Sequence, residues 1–397
     1  MRFLAQRLAH SLFVLFGVSL LTFALIKLAP GDYFQEMRMN PQISPAYIEH
    51  MKERFGLNLP WYHQYYRWIT GILPHTVNGS WLHWAWFDFG VSFANQVPVF
   101  QILGPAMFHT FVLALAAAAL SWTIAVPLGV YAAVRQNEYV DQAAVFYAYV
   151  GFAIPDFFLA MVLLFLAARV HLFPFSTMIP IIVGFAVISA LVGGFFSLKH
   201  NRPAGENTFR FLKGGVMTGA VVFVVLLAAF YLFQKANLPI GGMSSPDHDF
   251  LSPWNKMIDL LKHLFLPTLV LAVGNVAYLL RQMRASMLDV LRAEYVTTAR
   301  SKGLAENQVI SKHAFRNALN PMITLFGFEL GFLLSGALAV EIVMSWPGLG
   351  RVIYEAILEK DVYVVMGDLM LSSVLLILGN LLADVVLAWS DPRIKYG

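Results

Sequence analysis

Apolar residues in this chain are gathered into long runs. Eight of them approach or exceed twenty residues, at approximately 9–29, 107–134, 143–168, 178–198, 214–234, 263–282, 322–344 and 368–389. At 1.5 Å of rise per residue such a run crosses a hydrocarbon layer about 30 Å thick. Most carry no charge in the middle, and the alternation of barrel strands is not seen. Helices are expected because a backbone in lipid must satisfy its own hydrogen bonds. The pattern therefore predicts an all-α integral membrane protein with about eight transmembrane helices.

Composition agrees. Of 397 residues, 58% are apolar and 13% charged, with a mean hydropathy of +0.65. An ordinary soluble protein carries about 25% charged residues, so a soluble enzyme, a disordered chain and a disulfide scaffold are excluded. Length alone would suggest two or three soluble domains, and lipid as the solvent overrides that reading. The chain has no cysteine, hence no disulfide framework, thiol nucleophile or cysteine-ligated zinc. A net charge of +4 is not read as a nucleic-acid footprint, because in a membrane protein the position of the basic residues is what matters. Placing the N-terminus in the cytoplasm puts Arg2, Arg7, Arg135, Lys199, Arg202, Arg210, Lys213, Arg393, Lys395 and the seven basic residues from Arg281 to Arg316 on the inside. An even span count returns the C-terminus to the same side, so the expected topology is N-in, C-in. The first run is longer than a signal-peptide core and ends in Lys27-Leu28-Ala29-Pro30-Gly31-Asp32, with no small-x-small cleavage site. It reads as a retained anchor.

Between the runs, residues 30–104 form a long outer segment. A short helix is expected from Pro45 to Gly56, followed by an aromatic stretch that includes Trp61, Tyr65, Trp68, Trp81 and Trp86. That stretch reads either as an interfacial aromatic belt or as a docking surface. His75 and His83 lack a third ligand at metal-site spacing. Leu238-Pro239-Ile240-Gly241-Gly242-Met243 echoes Phe173-Pro174-Phe175-Ser176-Thr177-Met178, and the two runs between them read as an accessory hairpin that crosses twice and leaves the remaining topology unchanged.

The stretch 281–321 is hydrophilic, basic and patterned. A helix is expected to continue from the sixth run toward Gly303, where a left-handed residue can end it. A second short helix follows and is expected to stop before Pro321. It would place Ile310, Ala314 and Ala318 on one face and Lys312, Arg316 and Asn320 on another. Such an element between two membrane helices suits the transmission of a push from a soluble partner. It could equally be a basic loop at the lipid surface.

The motif tips that balance. Glu294-Tyr295-Val296, Ala299-Arg300, Lys302-Gly303-Leu304, then His313, Arg316-Asn317-Ala318 and Pro321, resemble the EAA loop of ABC-importer permeases in its dipeptide/oligopeptide/nickel form. Further patches resemble that family in order: Phe55-Gly56-Leu57 with Pro60, Asp88-Phe89-Gly90-Val91-Ser92, Pro127-Leu128-Gly129-Val130, Arg135 and Asp141, Ile154-Pro155, Glu341, Trp346-Pro347-Gly348-Leu349-Gly350-Arg351, Asn380-Leu381, Asp384 and Asp391-Pro392-Arg393. The family usually has six spans. The resemblance thus implies 1–104 as first span and outer loop, 105–177 as spans two and three, 178–237 as an inserted hairpin, and 238–397 as the remaining core with its coupling loop at 284–321.

The resemblance also implies a function. The chain would be one of two permease subunits in a bacterial inner membrane, translocating di- or oligopeptides delivered by an extracytoplasmic binding protein. One or two cytoplasmic ATPase subunits would use ATP and magnesium, with no cofactor bound by this chain and no nucleic acid involved. Nickel complexes, modified peptides or sugars are alternative cargoes. Coupling to the ATPase falls to Glu294, Ala299, Gly303, Arg316 and Asn317 by motif position and exposure, with Gly303 as the turn and Glu294 and Arg316 as ionic contacts either to the ATPase or within the loop. No lysine is followed by Ser or Thr, so the phosphate-binding G-x-x-x-x-G-K-[ST] loop is missing and ATP hydrolysis belongs to another chain. Glu329 lies inside the seventh run, and a carboxylate there faces a cavity or a polar partner. It is a candidate for the translocation pathway or for a structural hydrogen bond. An ion-coupled transporter would need titratable relays or an inverted repeat, and an intramembrane hydrolase would need a HExxH or GxSxG signature. None of these is found in the sequence.

Overall fold

A computed structural model describes residues 2–28, 33–39, 42–72, 75–77, 80–85, 88–169 and 238–390, with isolated positions between 179 and 220. The expected accessory hairpin at 178–237 thus lies almost wholly outside the described residues, as do residues 29–32 at the end of the first run and the patch at 391–393. The architecture is all-α apart from one small hairpin. Among the described residues four helices are long and apolar enough to span a membrane, within α1 (Arg2–Leu28), α5 (Val99–Val134), α8 (Pro253–Leu291) and α13 (Val362–Ser390). A fifth span arises if α6 (Tyr139–Ala153) and α7 (Asp156–Arg169) are counted together.

The span expected at 143–168 is thus a broken one if it crosses. The two helices are bent by 94° at Ile154-Pro155. Proline has no N–H to donate and pushes the residue before it out of the helical region, and Ile154 is extended, at φ −87° and ψ 118°. The run at 322–344 is likewise two helices, α10 (Phe315–Gly336) and α11 (Leu338–Val343), parted just after Gly336. Short helices α2 (Phe34–Met39), α3 (Pro45–Arg54) and α4 (Trp61–Ile72) occupy the segment after α1. As expected, α3 stops before Gly56. Ser44 caps its start by accepting from the Tyr47 N–H at 3.2 Å, and Gly56 takes φ +67°. The aromatic stretch contains a two-stranded antiparallel hairpin that the apolar pattern did not announce, β1 (His75–Val77) with β2 (Ser80–Ala85), pairing Thr76 with Trp84.

The chain divides into two compact units. In the first (1–114, 324–342 and 347–397), α1 and α13 pack together. Arg7 meets Asp384 at 3.2 Å, joining the start of α1 to the end of α13. The start of α1 and the end of α13 therefore lie on one side. Glu341 is fully buried in this unit. It accepts from Thr110 Oγ1 at 2.7 Å and from the Arg351 N–H at 3.2 Å, while the Leu349 N–H donates to Thr110 Oγ1 at 2.8 Å. The turn before α12 (Leu349–Leu358) thus wraps the carboxylate, and a side chain at Gly348 would collide with it.

In the second unit (115–323 with 343–346) α8 is the central post. At 39 residues it rises about 58 Å, well beyond the hydrocarbon. Glycines let α5 and α6 approach it. A Cβ at Gly151 would lie 2.9 Å from Ala277 Cβ, and one at Gly129 would lie 2.8 Å from Met283 Cβ. Asp141, in the first turn of α6, receives both Arg284 nitrogens, Nη2 at 2.8 Å, together with the Asn137 N–H at 2.8 Å. Removing one partner of a buried, hydrogen-bonded pair costs about 3–5 kcal/mol, and partial exposure of Arg284 places this pair at the lower end. Asp141→Ala should therefore lower the unfolding temperature of the detergent-solubilised protein by several degrees, and Asp141→Asn by less. Unchanged melting of Asp141→Ala in a thermal-shift assay would remove this pair from the account of how α6 is held.

Candidate functional site

The coupling stretch forms a small body within the second unit. After α8 ends, Ala293 is extended (ψ 145°) and breaks the helix, so the expected continuous run toward Gly303 is two helices, α8 and α9 (Glu294–Ser301). Gly303 then takes φ +76°. A Cβ there would meet nothing within 4 Å, so the glycine serves backbone conformation and not space. One turn at Glu306–Gln308 runs into a π-helical turn at Val309–Ala314, and α10 follows without a stop. Pro321 lies inside α10, contrary to the expected ending before it, and leaves the carbonyl four residues back without its helical N–H donor.

The π turn changes which residues face inward. With five residues between turns, Val309 and Ala314 both reach zero exposure, and Ala318 follows four residues later, also at zero. Ile310, expected on that face, is only half-buried. Val309 packs with Val296 and Ala299 against Val290, so α8, α9 and the π turn share a core of four small apolar side chains. Ser286 Oγ donates to the Ala318 carbonyl at 2.9 Å and ties α8 to α10.

Each expected coupling residue can now be placed. Glu294, Gly303, Arg316 and Asn317 are exposed, and Asn317 donates through Nδ2 to the His313 carbonyl at 2.9 Å. Ala299 is 6% exposed and belongs to the loop's core, so its assignment by exposure is corrected. Among the described residues the loop's ion pair is Arg300 with Glu306, Nη2 to Oε1 at 2.7 Å and Nε to Oε2 at 3.2 Å, and it involves neither Glu294 nor Arg316. It staples α9 across Gly303 to the next turn, and the guanidinium holds the Glu306 carboxyl below its ordinary range. Nothing in the apolar pattern marked Glu306 or Val309; a five-residue spacing escapes a 3.6-residue template. Glu329 is buried in α10, in the first unit, consistent with a polar contact inside the protein. No group of three or more His, Asp or Glu suited to a metal occurs among the described residues.

Residues 125–396 match the family described as the inner membrane component of binding-protein-dependent transport systems, and residues 1–114 match the N-terminal segment of such components. The chain belongs to this family. It is 31% identical over 395 residues to the oligopeptide transport system permease protein AppB of Bacillus subtilis, covering 99% of both chains. It is also 31% identical to the dipeptide transport system permease protein DppB of Escherichia coli K12, over 100% of this chain and 99% of that one. The di/tripeptide permease protein DppB of Pseudomonas aeruginosa is 30% identical over 397 residues. As a member of this family the chain is a membrane permease and not an enzyme.

The loop core of this permease supports two outcomes. Ala299→Glu places a charge among Val296, Val309 and Val290 and should open the loop, seen as faster limited proteolysis near Gly303. Glu306→Gln removes an exposed pair worth about 0.2–1 kcal/mol. The pair contributes above the usual carboxylate range and is lost as pH falls through the lowered Glu306 pKa, so this variant should match the parent in proteolysis at low pH and differ slightly near neutrality.

Proposed function

We propose that the chain is the peptide-translocating permease subunit of an ATP-driven ABC importer in a bacterial inner membrane. The observation that carries the reading is the compact loop between α8 and α10, a short helix hinged on Gly303 with exposed Glu294, Arg316 and Asn317, in a chain whose relatives are named for oligopeptide, dipeptide and di/tripeptide transport.

A second permease subunit completes the passage, one or two cytoplasmic ATPases use ATP and magnesium, and an extracytoplasmic binding protein delivers peptide. The loop does not form part of the passage. Its core and the Arg300–Glu306 staple make it stiff, so motion of a docked ATPase is passed to α8 and α10 instead of being absorbed. Glu294 and Arg316, with no ion pair inside the chain among the described residues, are the charges left for the ATPase. Asn317 and Gly303 shape the docking element, Ala299 supports it from within, and Glu329 is a candidate contact along the passage.

Reconstituted complex should take up di- or tripeptide in a vanadate-sensitive way, while the chain alone hydrolyses no ATP. Uptake by the chain alone, driven by a proton gradient and indifferent to ATP, would overturn the proposal. Gly303→Val should lose coupled transport, because a β-branched residue at positive φ is strained, whereas Gly303→Asn should retain most of it, since Asn tolerates that region. Equal transport by both variants would count against Gly303 as the hinge.

A further inference from the structure

The first unit holds a cavity of about 290 Å³ at the end of α1 farthest from the N-terminus. Two lysines line it, Lys27 from the last turn of α1 and Lys52 from the last turn of α3. Neither forms an ion pair among the described residues. Lys27 sits over the Phe23 ring at 5.7 Å. Three carboxylates stand close without lining it: Glu49 accepts at 3.0 Å from Nδ2 of Asn58, itself a lining residue, Asp361 accepts from Ser92 Oγ at 2.6 Å and from the Ala94 N–H at 3.1 Å, and the exposed Glu359 lies, with Asp361, within electrostatic reach of Tyr33. Tyr33 and Tyr363 add aromatic wall to the same space, the Tyr363 hydroxyl donating to the Phe55 carbonyl at 3.2 Å. Two lysines around a void with no carboxylate among its described lining residues make up half of a binding site.

Depth indicates the other half. Lys27 is the penultimate residue of the apolar span Ala9–Leu28, so its nitrogen lies where hydrocarbon gives way to headgroups. Below it Phe13, Leu20, Leu21 and Leu25 are exposed on one side of α1, an apolar track that leads away from the cavity. We infer that the cavity binds the phosphodiester headgroup of an anionic phospholipid, with its acyl chains laid along the exposed face of α1. A soluble anion would use the cations and leave the track bare; a phospholipid fits both. The cleft of about 190 Å³ between α6 and α8 also has two guanidinium groups, but Arg284 there is taken by Asp141. This inference goes beyond the transport reading and does not depend on it.

The test uses the full transporter complex in neutral detergent, titrated with dioleoylphosphatidylglycerol or dioleoylphosphatidylcholine, reading the unfolding temperature and the lipid retained by mass spectrometry. Phosphatidylglycerol should be retained and should raise the unfolding temperature, phosphatidylcholine should do so weakly, and Lys27→Gln/Lys52→Gln should weaken phosphatidylglycerol binding about thirtyfold, taking roughly one basic-residue contribution for each lysine. Lys27→Arg/Lys52→Arg should restore it, and Lys262→Gln, an exposed lysine on another helix, should leave it unchanged. Equal effects of the two lipids on the parent protein would overturn the inference even if the double Gln variant fails to fold. So would equal losses in Lys262→Gln, or competition by a soluble dipeptide or inorganic phosphate that abolishes the lysine-dependent effect without any dependence on acyl chains.

Discussion

A chain whose solvent is lipid must satisfy its backbone hydrogen bonds within itself, and the rest of this structure depends on that requirement. Long helices follow directly, and so does the rarity of breaks. Where breaks occur, the chain supplies a specific reason. Pro155 turns α6 into α7, an extended Ala293 ends α8, and Gly303 reverses direction in the left-handed region. Each break then needs side chains or packing to hold the new direction, because the helix ladder no longer does. Asp141 with Arg284 anchors the start of α6, and the Val296–Ala299–Val309 cluster holds the turn at Gly303.

The coupling stretch shows how a polar loop becomes a mechanical part. A loop of independent residues would dissipate a push, but here four apolar side chains and a bidentate ion pair join α8, α9 and the π turn into one body. Energy in such a small core comes from completeness of burial more than from size. Val296 and Val309 lose all their exposure, which is worth about 1.5–3 kcal/mol for each valine. The π turn is what allows it, since the added residue rotates Val309 inward while Ala314 and Ala318 stay buried.

Buried carboxylates recur elsewhere for a related reason. Glu341 is enclosed by a turn of its own unit and accepts hydrogen bonds from Thr110 and Arg351. A carboxylate with several acceptor sites can gather donors from a turn that has no regular ladder, which makes it a useful organiser in a chain with few charges. The order Glu341 … Gly348-Leu349-Gly350-Arg351 was visible as a family resemblance, but its physical meaning, a glycine that clears room for a carboxylate, was not visible until the turn was seen closed around it.

The amino-acid sequence by itself determined the class of protein, the location of the described spans, the common side of the start of α1 and the end of α13, the ending of α3 at Gly56 and the turn at Gly303, because each rests on local properties: apolar run length, basic residues at run ends, and the freedom of glycine. Only the tertiary structure decided that 143–168 bends by 94°, that the loop's inward face begins at Val309 and not Ile310, that Ala299 is core, and that Arg300 pairs with Glu306 while Glu294 and Arg316 stay outward. Those outcomes depend on which surfaces meet. A run of apolar residues records that a segment avoids water, but lipid and protein are equally apolar neighbours, so hydropathy cannot tell a lipid-facing residue from one packed on another helix.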